Sequence, residues 1–185
     1  MSAPRIAPLE APYEPSIADS FARVSPPGTE PLKLFRTMAR NPRVMERMFA
    51  GSLLDKGSIE LRDREILILR TCARCSAEYE WGVHVAVFSK RAGLSKEEVA
   101  ATRNCGPLDA TWSPREISLI RLADELHDQS TVSDATWNSL TEHYTAEQAL
   151  EMIAVVGYYH TIAFVTNAVR VDLESFAPRF EQQPT

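Results

Sequence analysis

The chain has 185 residues, 44% of them hydrophobic, and carries Lys+Arg 20 against Asp+Glu 25 for a formal net charge of -5. That length suits one domain with a sizeable core, and the mild acidic balance argues against a nucleic-acid surface, which would be basic. The opening Met1-Ser-Ala-Pro-Arg-Ile is not of signal-peptide type and the three cysteines are an odd number, so a reducing cytoplasm is expected rather than a disulfide framework.

Seven of the 12 prolines fall within residues 1–31. Proline fixes φ and removes a donor, so this stretch is expected to be an extended arm with little regular structure. Such an arm would lie over the body or reach a neighbouring subunit. Residues 32–185 then read as a single all-α domain. Helices are predicted over 32–40 and over 42–55, the latter opened by Asn41 and Pro42 as cap and first-turn proline. Further helices are predicted over 61–74, 77–92, 95–103, 114–129, 134–143 and 146–171. Ser95 with Glu98, Ser113 with Glu116, and Thr145 with Gln148 have the spacing of capping boxes, and Ser76 sits where the 77–92 helix would start. Gly106-Pro107 and Asp109 to Trp112 mark the longest internal loop. No strand-like alternation competes. Met152 to Val169 is the longest run without an Asp, Glu, Lys or Arg. Its His160, Asn167, tyrosines and threonines are too polar for a membrane span, so a central buried helix is expected, with Gly157 allowing close approach of a neighbour.

The chemistry-bearing residues cluster in the middle of the chain. Glu80 and His84 are i,i+4 and share a helix face, together with Ala77 and Phe88. Glu65 lies just upstream among Ile66, Leu67, Ile68 and Leu69. A carboxylate among apolar neighbours tends to hold its proton near neutral pH, which suits acid/base work. Acids in a first turn also complement the helix dipole, which accounts well for Glu78 but less well for Glu80. Glu65 and Cys72 are about two turns apart and fall on nearly one face, while Cys75 sits at the junction between two helices. Zinc is not expected from Cys72, Cys75, His84 and Cys105, because only one close pair is present. His160 and Asn167, seven residues apart, read either as a satisfied buried polar pair or as a second pocket wall. Trp81 packs first and touches substrate second.

A Glu followed 19 residues later by a His, with Tyr79-Glu80-Trp81 leading into that His84, resembles the carboxymuconolactone decarboxylase family, whose superfamily includes alkyl hydroperoxidase D-like proteins. The resemblance covers roughly residues 32–105. It implies an alkyl hydroperoxidase D-like helical bundle and a homo-oligomer, a trimer or hexamer. The redox branch of the superfamily carries Cys-x2-Cys-x3-His, and those cysteine positions fall here on Ala77 and Glu80. Cys72 and Cys75 form a Cys-x2-Cys five residues too early.

Members without the redox cysteines do proton-transfer chemistry. The resemblance therefore implies a cofactor-free lyase-type enzyme that decarboxylates, isomerises or opens a small organic acid, lactone or ketone. His84 would be the general acid/base, Glu80 its relay and Glu65 the group that sets their charge, with Trp81, His160 and Asn167 around the substrate. A peroxidase using Cys72 or Cys75 is the alternative within the fold, and a non-catalytic helical interaction module the alternative outside it. No metal, organic cofactor, nucleic acid or membrane partner is expected.

Overall fold

The computed structural model describes residues 3–103 and 111–180, and among these the regular structure is all helical, without strands. In chain order the helices are α1 (Pro15–Val24), α2 (Lys33–Met38), α3 (Pro42–Ala50), α4 (Leu61–Arg74), α5 (Glu78–Phe88), α6 (Lys96–Ala101), α7 (Pro114–Gln129), α8 (Asp134–Thr141) and α9 (Ala146–Val169). The bounds of α4 and α7 coincide with those read from the sequence. All three expected capping boxes are formed, at Ser95, Ser113 and Thr145, and the Asn41 side chain accepts from the Val44 N–H at 3.3 Å. The other expected helices are all shorter than read from the sequence, with α5 ending at Phe88 rather than at residue 92. Helix α3 stops at Ala50, ahead of Gly51 and a Leu53 at φ 50°. Ser76 is not a cap: it turns the chain at φ 52°, and Ala77 precedes α5 without a side-chain cap. Cys105, Gly106, Pro107 and Asp109 lie outside the described residues.

The proline-rich arm is not wholly extended, since it contains α1. Pro15 is in the first turn, where its missing N–H costs nothing, and Pro26-Pro27 follow the end. These prolines delimit a helix rather than prevent one. The residues before it lie on the chain's own body, with the Arg5 N–H donating to the Val169 carbonyl at 2.8 Å and the Leu9 N–H to the Arg36 carbonyl at 3.1 Å.

The enclosed central helix is α4, not α9 as the charge pattern suggests. Every residue from Asp63 to Cys72 is buried, and α4 packs on α5, α7 and α9. Its charged residues are accommodated because each has a partner. Arg70 forms a two-pronged pair with Asp124 at 2.6 and 2.8 Å, Asp63 pairs with Arg115, and Glu65 pairs with His84. Helix α9 buries one face and leaves Leu150 and Phe164 exposed. It is long and apolar enough by length and composition to cross a membrane, yet it packs on α4, α5, α7 and α8. Gly157 faces open space. The close approach is at Gly82, where an added Cβ would come within 2.4 Å of the Pro178 carbonyl oxygen. The C-terminal segment thus crosses directly over α5.

Candidate active site

The sequence places Glu65 one residue after Arg64 on α4 and His84 near the middle of α5, and packing of these two helices brings them together. The His84 Nδ1 lies 2.7 Å from Glu65 Oε2, and His84 Nε2 lies 3.4 Å from Glu80 Oε1. Glu65 is fully buried and His84 is 2% exposed. Helix α9 adds a residue that the sequence pattern does not single out. The Tyr159 hydroxyl is 3.0 Å from His84 Nε2, its ring meets the imidazole edge-on at 5.0 Å, and Phe88 stacks on the imidazole, also at 5.0 Å.

Burial alone would push the His84 pKa down, because it disfavours the cation. The charge of Glu65 and its hydrogen bond, reinforced by Glu80, overcome this and raise it to about 9. At neutral pH the ring is therefore an imidazolium with a proton on each nitrogen. Nδ1–H is committed to Glu65, and Nε2–H is shared between Glu80 and Tyr159. Burial, then the charges of Glu80 and Glu65, push the Tyr159 phenol well above its ordinary value, so it remains a neutral hydroxyl.

Glu80, His84, Tyr158 and Tyr159 line one side of a cavity of about 490 Å³. The rest is mostly apolar, with Leu34, Phe35 and Met38 from α2, Phe49 from α3, and Val83, Val87 and Phe88 from α5. Residues 24–30, which close α1 and lead away from it, contribute Val24, Ser25, Pro26, Thr29 and Glu30. Among the described residues, no lysine and no arginine belongs to the lining. Glu80 Oε2 is shielded from solvent and accepts no hydrogen bond from the described residues. A buried acceptor without a donor is costly, and such a cost is commonly retained where a group must meet a ligand.

The other expected site residues lie elsewhere. Glu65 stands behind His84, outside the cavity wall. Trp81 donates to the Thr102 hydroxyl at 3.1 Å and packs against Phe180. Its indole is held on the far side of α5, so it is not a pocket residue. His160 and Asn167 also lie outside the cavity. His160 contacts His127 at 3.0 Å, and the Asn167 amide donates to the Cys75 carbonyl at 2.8 Å. They are neither a pair with each other nor a second pocket wall, because the α9 face that reaches His84 is the one carrying Tyr159. Cys72 is fully buried. Burial, then the charges of Glu80, Cys75 and Glu65, hold its thiol well above the ordinary range. Cys75 is half-buried and likewise raised by burial. Neither cysteine lines the cavity, and both are free thiols.

Known proteins resemble this chain in part of its sequence and in its fold. The model of the carboxymuconolactone decarboxylase family matches residues 40–125. Over that segment the chain is similar to the carboxymuconolactone decarboxylase family. The segment contains Glu65, Glu80 and His84, whereas Tyr159 comes from outside it. Solved structures extend the likeness to the whole fold. An uncharacterised peroxidase-related protein from Silicibacter sp. TM1040 superposes with a TM-score of 0.77 at 15% identity, covering 95% of this chain and 96% of its own. An alkylhydroperoxidase AhpD core protein from Ralstonia eutropha JMP134 gives 0.74 at 21% identity, covering 94% and 95%. The debrominase Bmp8, as a cysteine-to-alanine variant in complex with 2,3,4-tribromopyrrole, gives 0.75 at 15% identity, covering 92% of each chain. The chain therefore has the alkyl hydroperoxidase D-like all-α fold. No curated protein sequence matches it.

Proposed function

We propose that the protein is a cofactor-free acid/base enzyme acting on a small, largely apolar lactone or ketone. The observation that carries this reading is the placing of Glu80 on the wall of an apolar cavity, beside the His84–Tyr159 pair. Glu80 supplies the base and the His84 Nε2–H and Tyr159 hydroxyl supply the donors. With a carbonyl oxygen on these donors, Glu80 takes a proton from the adjacent carbon. The C–H electron pair becomes the enolate C=C bond, and the carbonyl π pair moves onto oxygen. The two donors stabilise that charge where water is excluded. Return of the proton to a conjugated carbon completes an isomerisation with no net change of atoms or electrons.

Among the acid, lactone and ketone classes, the lining favours neutral compounds. Glu65 and Glu80 together already exceed the single positive charge of His84, and no described Lys or Arg lines the cavity to receive a substrate carboxylate. The debrominase's tribromopyrrole is a small apolar ring and motivates testing ligands of that size. The cavity supports an enzyme over a packed interaction module, and the depth and raised pKa of Cys72 weigh against a thiol peroxidase.

The test is proton exchange in D2O, followed by NMR, over a panel of unsaturated lactones and cyclic ketones. The wild type is expected to exchange the carbon-bound proton beside the carbonyl of at least one compound. Glu80→Gln and His84→Ala should abolish this while retaining the helical circular dichroism spectrum. Wild-type exchange rates in both variants would place the chemistry elsewhere.

A further inference from the structure

A second cluster lies outside the cavity, where the end of α4 meets α7 and α9. Cys75 caps α4, His127 is in the last turn of α7, and His160 is two-thirds of the way along α9. The Cys75 Sγ is 3.6 Å from His127 Nδ1, and that nitrogen is 3.0 Å from His160 Nε2. All three donor atoms lie within 4.8 Å of one another, and all three residues are half-buried. We propose that Cys75, His127 and His160 form a binding site for a divalent metal ion of the zinc type, with a fourth position open to water.

The hydrogen-bond pattern already prepares one ligand. His160 Nδ1 is 2.8 Å from the Val156 carbonyl oxygen, which can only accept. The proton of a neutral His160 is therefore on Nδ1, and Nε2 turns its lone pair toward the cluster. A backbone carbonyl fixing the remote nitrogen of a metal-ligating histidine is a recurrent second layer of support. With His127 in the tautomer protonated at Nε2, two nitrogen lone pairs and the sulfur face one point. Without an ion, one of these groups must turn a proton inward to avoid lone-pair repulsion.

The spacing suits the ion. Zn–S of about 2.3 Å and Zn–N of about 2.0–2.1 Å at a tetrahedral angle imply an S···N separation of about 3.5 Å and an N···N separation of about 3.3 Å. The first matches the observed 3.6 Å, and the second needs a few tenths of an ångström beyond the observed 3.0 Å. Two imidazoles and a thiolate are a donor set for zinc-like ions rather than for calcium or magnesium. The Asn167 amide holds the Cys75 carbonyl at 2.8 Å, which anchors the ligand-bearing turn to α9. The charges facing the site are Arg74, which opposes a cation, and Asp124 and Asp128, which favour one. Arg74 is itself engaged with both aspartates, at 3.5 and 2.5 Å. An ion plus the thiolate adds one net positive charge, which the two carboxylates can absorb.

The test titrates the metal-stripped full chain with Co²⁺ and reads the sulfur-to-cobalt charge-transfer absorption, with Zn²⁺ competition and melting temperature as second readouts. A single equivalent of Co²⁺ is expected to give that band, Zn²⁺ to displace it, and Zn²⁺ to raise the melting temperature. Cys75→Ser should remove the band. His127→Ala and His160→Ala should each weaken binding by roughly tenfold or more, whereas His143→Ala, an exposed histidine away from the cluster, should not. Circular dichroism confirms that each variant is folded. A wild type that shows no charge-transfer band at one equivalent overturns the proposal. So does a band that survives in folded Cys75→Ser, or equal binding by all three histidine variants.

Discussion

Replacing Glu65 by glutamine isolates the interaction that sets the charge of the candidate site. Glu65 is wholly buried, with one oxygen 2.7 Å from His84 Nδ1 and the other 3.4 Å from Arg64 Nε. Glutamine keeps the shape and an oxygen to accept from Nδ1–H, but removes the negative charge. The His84 pKa stands at about 9 against an ordinary 6.5, and at about 1.4 kcal/mol per pH unit this difference is worth about 3 kcal/mol of stability. The sign follows from a raised pKa. Below 6.5 both folded and unfolded chains hold the proton, and the contribution is complete. Between 6.5 and about 9 only the folded chain holds it, so stability falls by about 1.4 kcal/mol for each pH unit, and above that range the contribution is gone.

In Glu65→Gln burial regains its hold on the imidazole and the slope should largely vanish. Urea unfolding of both proteins across this range, with NMR titration of the His84 ring, is the assay. The stability gap between them should be widest at the acid end and narrow by most of that about 3 kcal/mol as the pH passes the folded-state pKa. Subtracting the two curves removes the titration of groups they share. Parallel curves, or a wild-type His84 that titrates at its ordinary value, would refute the argument.

Tyr159→Phe removes one of the two donors facing the substrate oxygen and should lower kcat by roughly 10²–10³-fold with little change in KM; an unchanged kcat would remove Tyr159 from the chemistry. Cys72→Ala should leave turnover within about twofold, and peroxide treatment of the folded wild type should leave Cys72 unmodified by peptide mapping; rapid oxidation of Cys72 would revive the thiol reading. The exposed Leu150 and Phe164 of α9, with Phe176 beyond it, suggest a covered face in a trimer or hexamer. Light scattering should therefore give a multiple of the 20.7 kDa chain mass, and a clean monomer would exclude it.

Local signals make most of the fold legible. Helices α4 and α7 are bounded correctly from sequence because caps, first-turn residues and breakers act within a few residues. Helix α1 escapes a reading that treats proline only as an obstacle, although Pro15 at a first turn is compatible with a helix. The two long apolar helices change places because a count of charges cannot see their partners. Asp63, Glu65 and Arg70 reach acids and bases on other helices, so α4 tolerates full burial. Helix α9 carries few charges, yet it buries only one face and leaves Leu150 and Phe164 exposed.

The same distinction divides the candidate site. Glu80 and His84 are legible as a pair because one helix carries both. Tyr159 and His127 are not, since each acquires its role across a helix–helix contact. In sequence Tyr159 is one more aromatic in an apolar run, and His127 a histidine at a helix C-terminus, where a cation is favoured anyway. The departure at Glu80 gains physical meaning from the structure. In the redox pattern that this segment resembles, the position holds a cysteine four residues before the histidine. Here a carboxylate lies 3.4 Å from that histidine and keeps one oxygen shielded from solvent without a hydrogen-bond partner among the described residues. A thiolate there would exchange electrons with a peroxide. A carboxylate cannot, but beside an imidazolium and a neutral phenol it can move a proton. On the proposed reading, an anionic group still stands against His84, and the carboxylate would serve acid and base chemistry where a cysteine would serve sulfur redox.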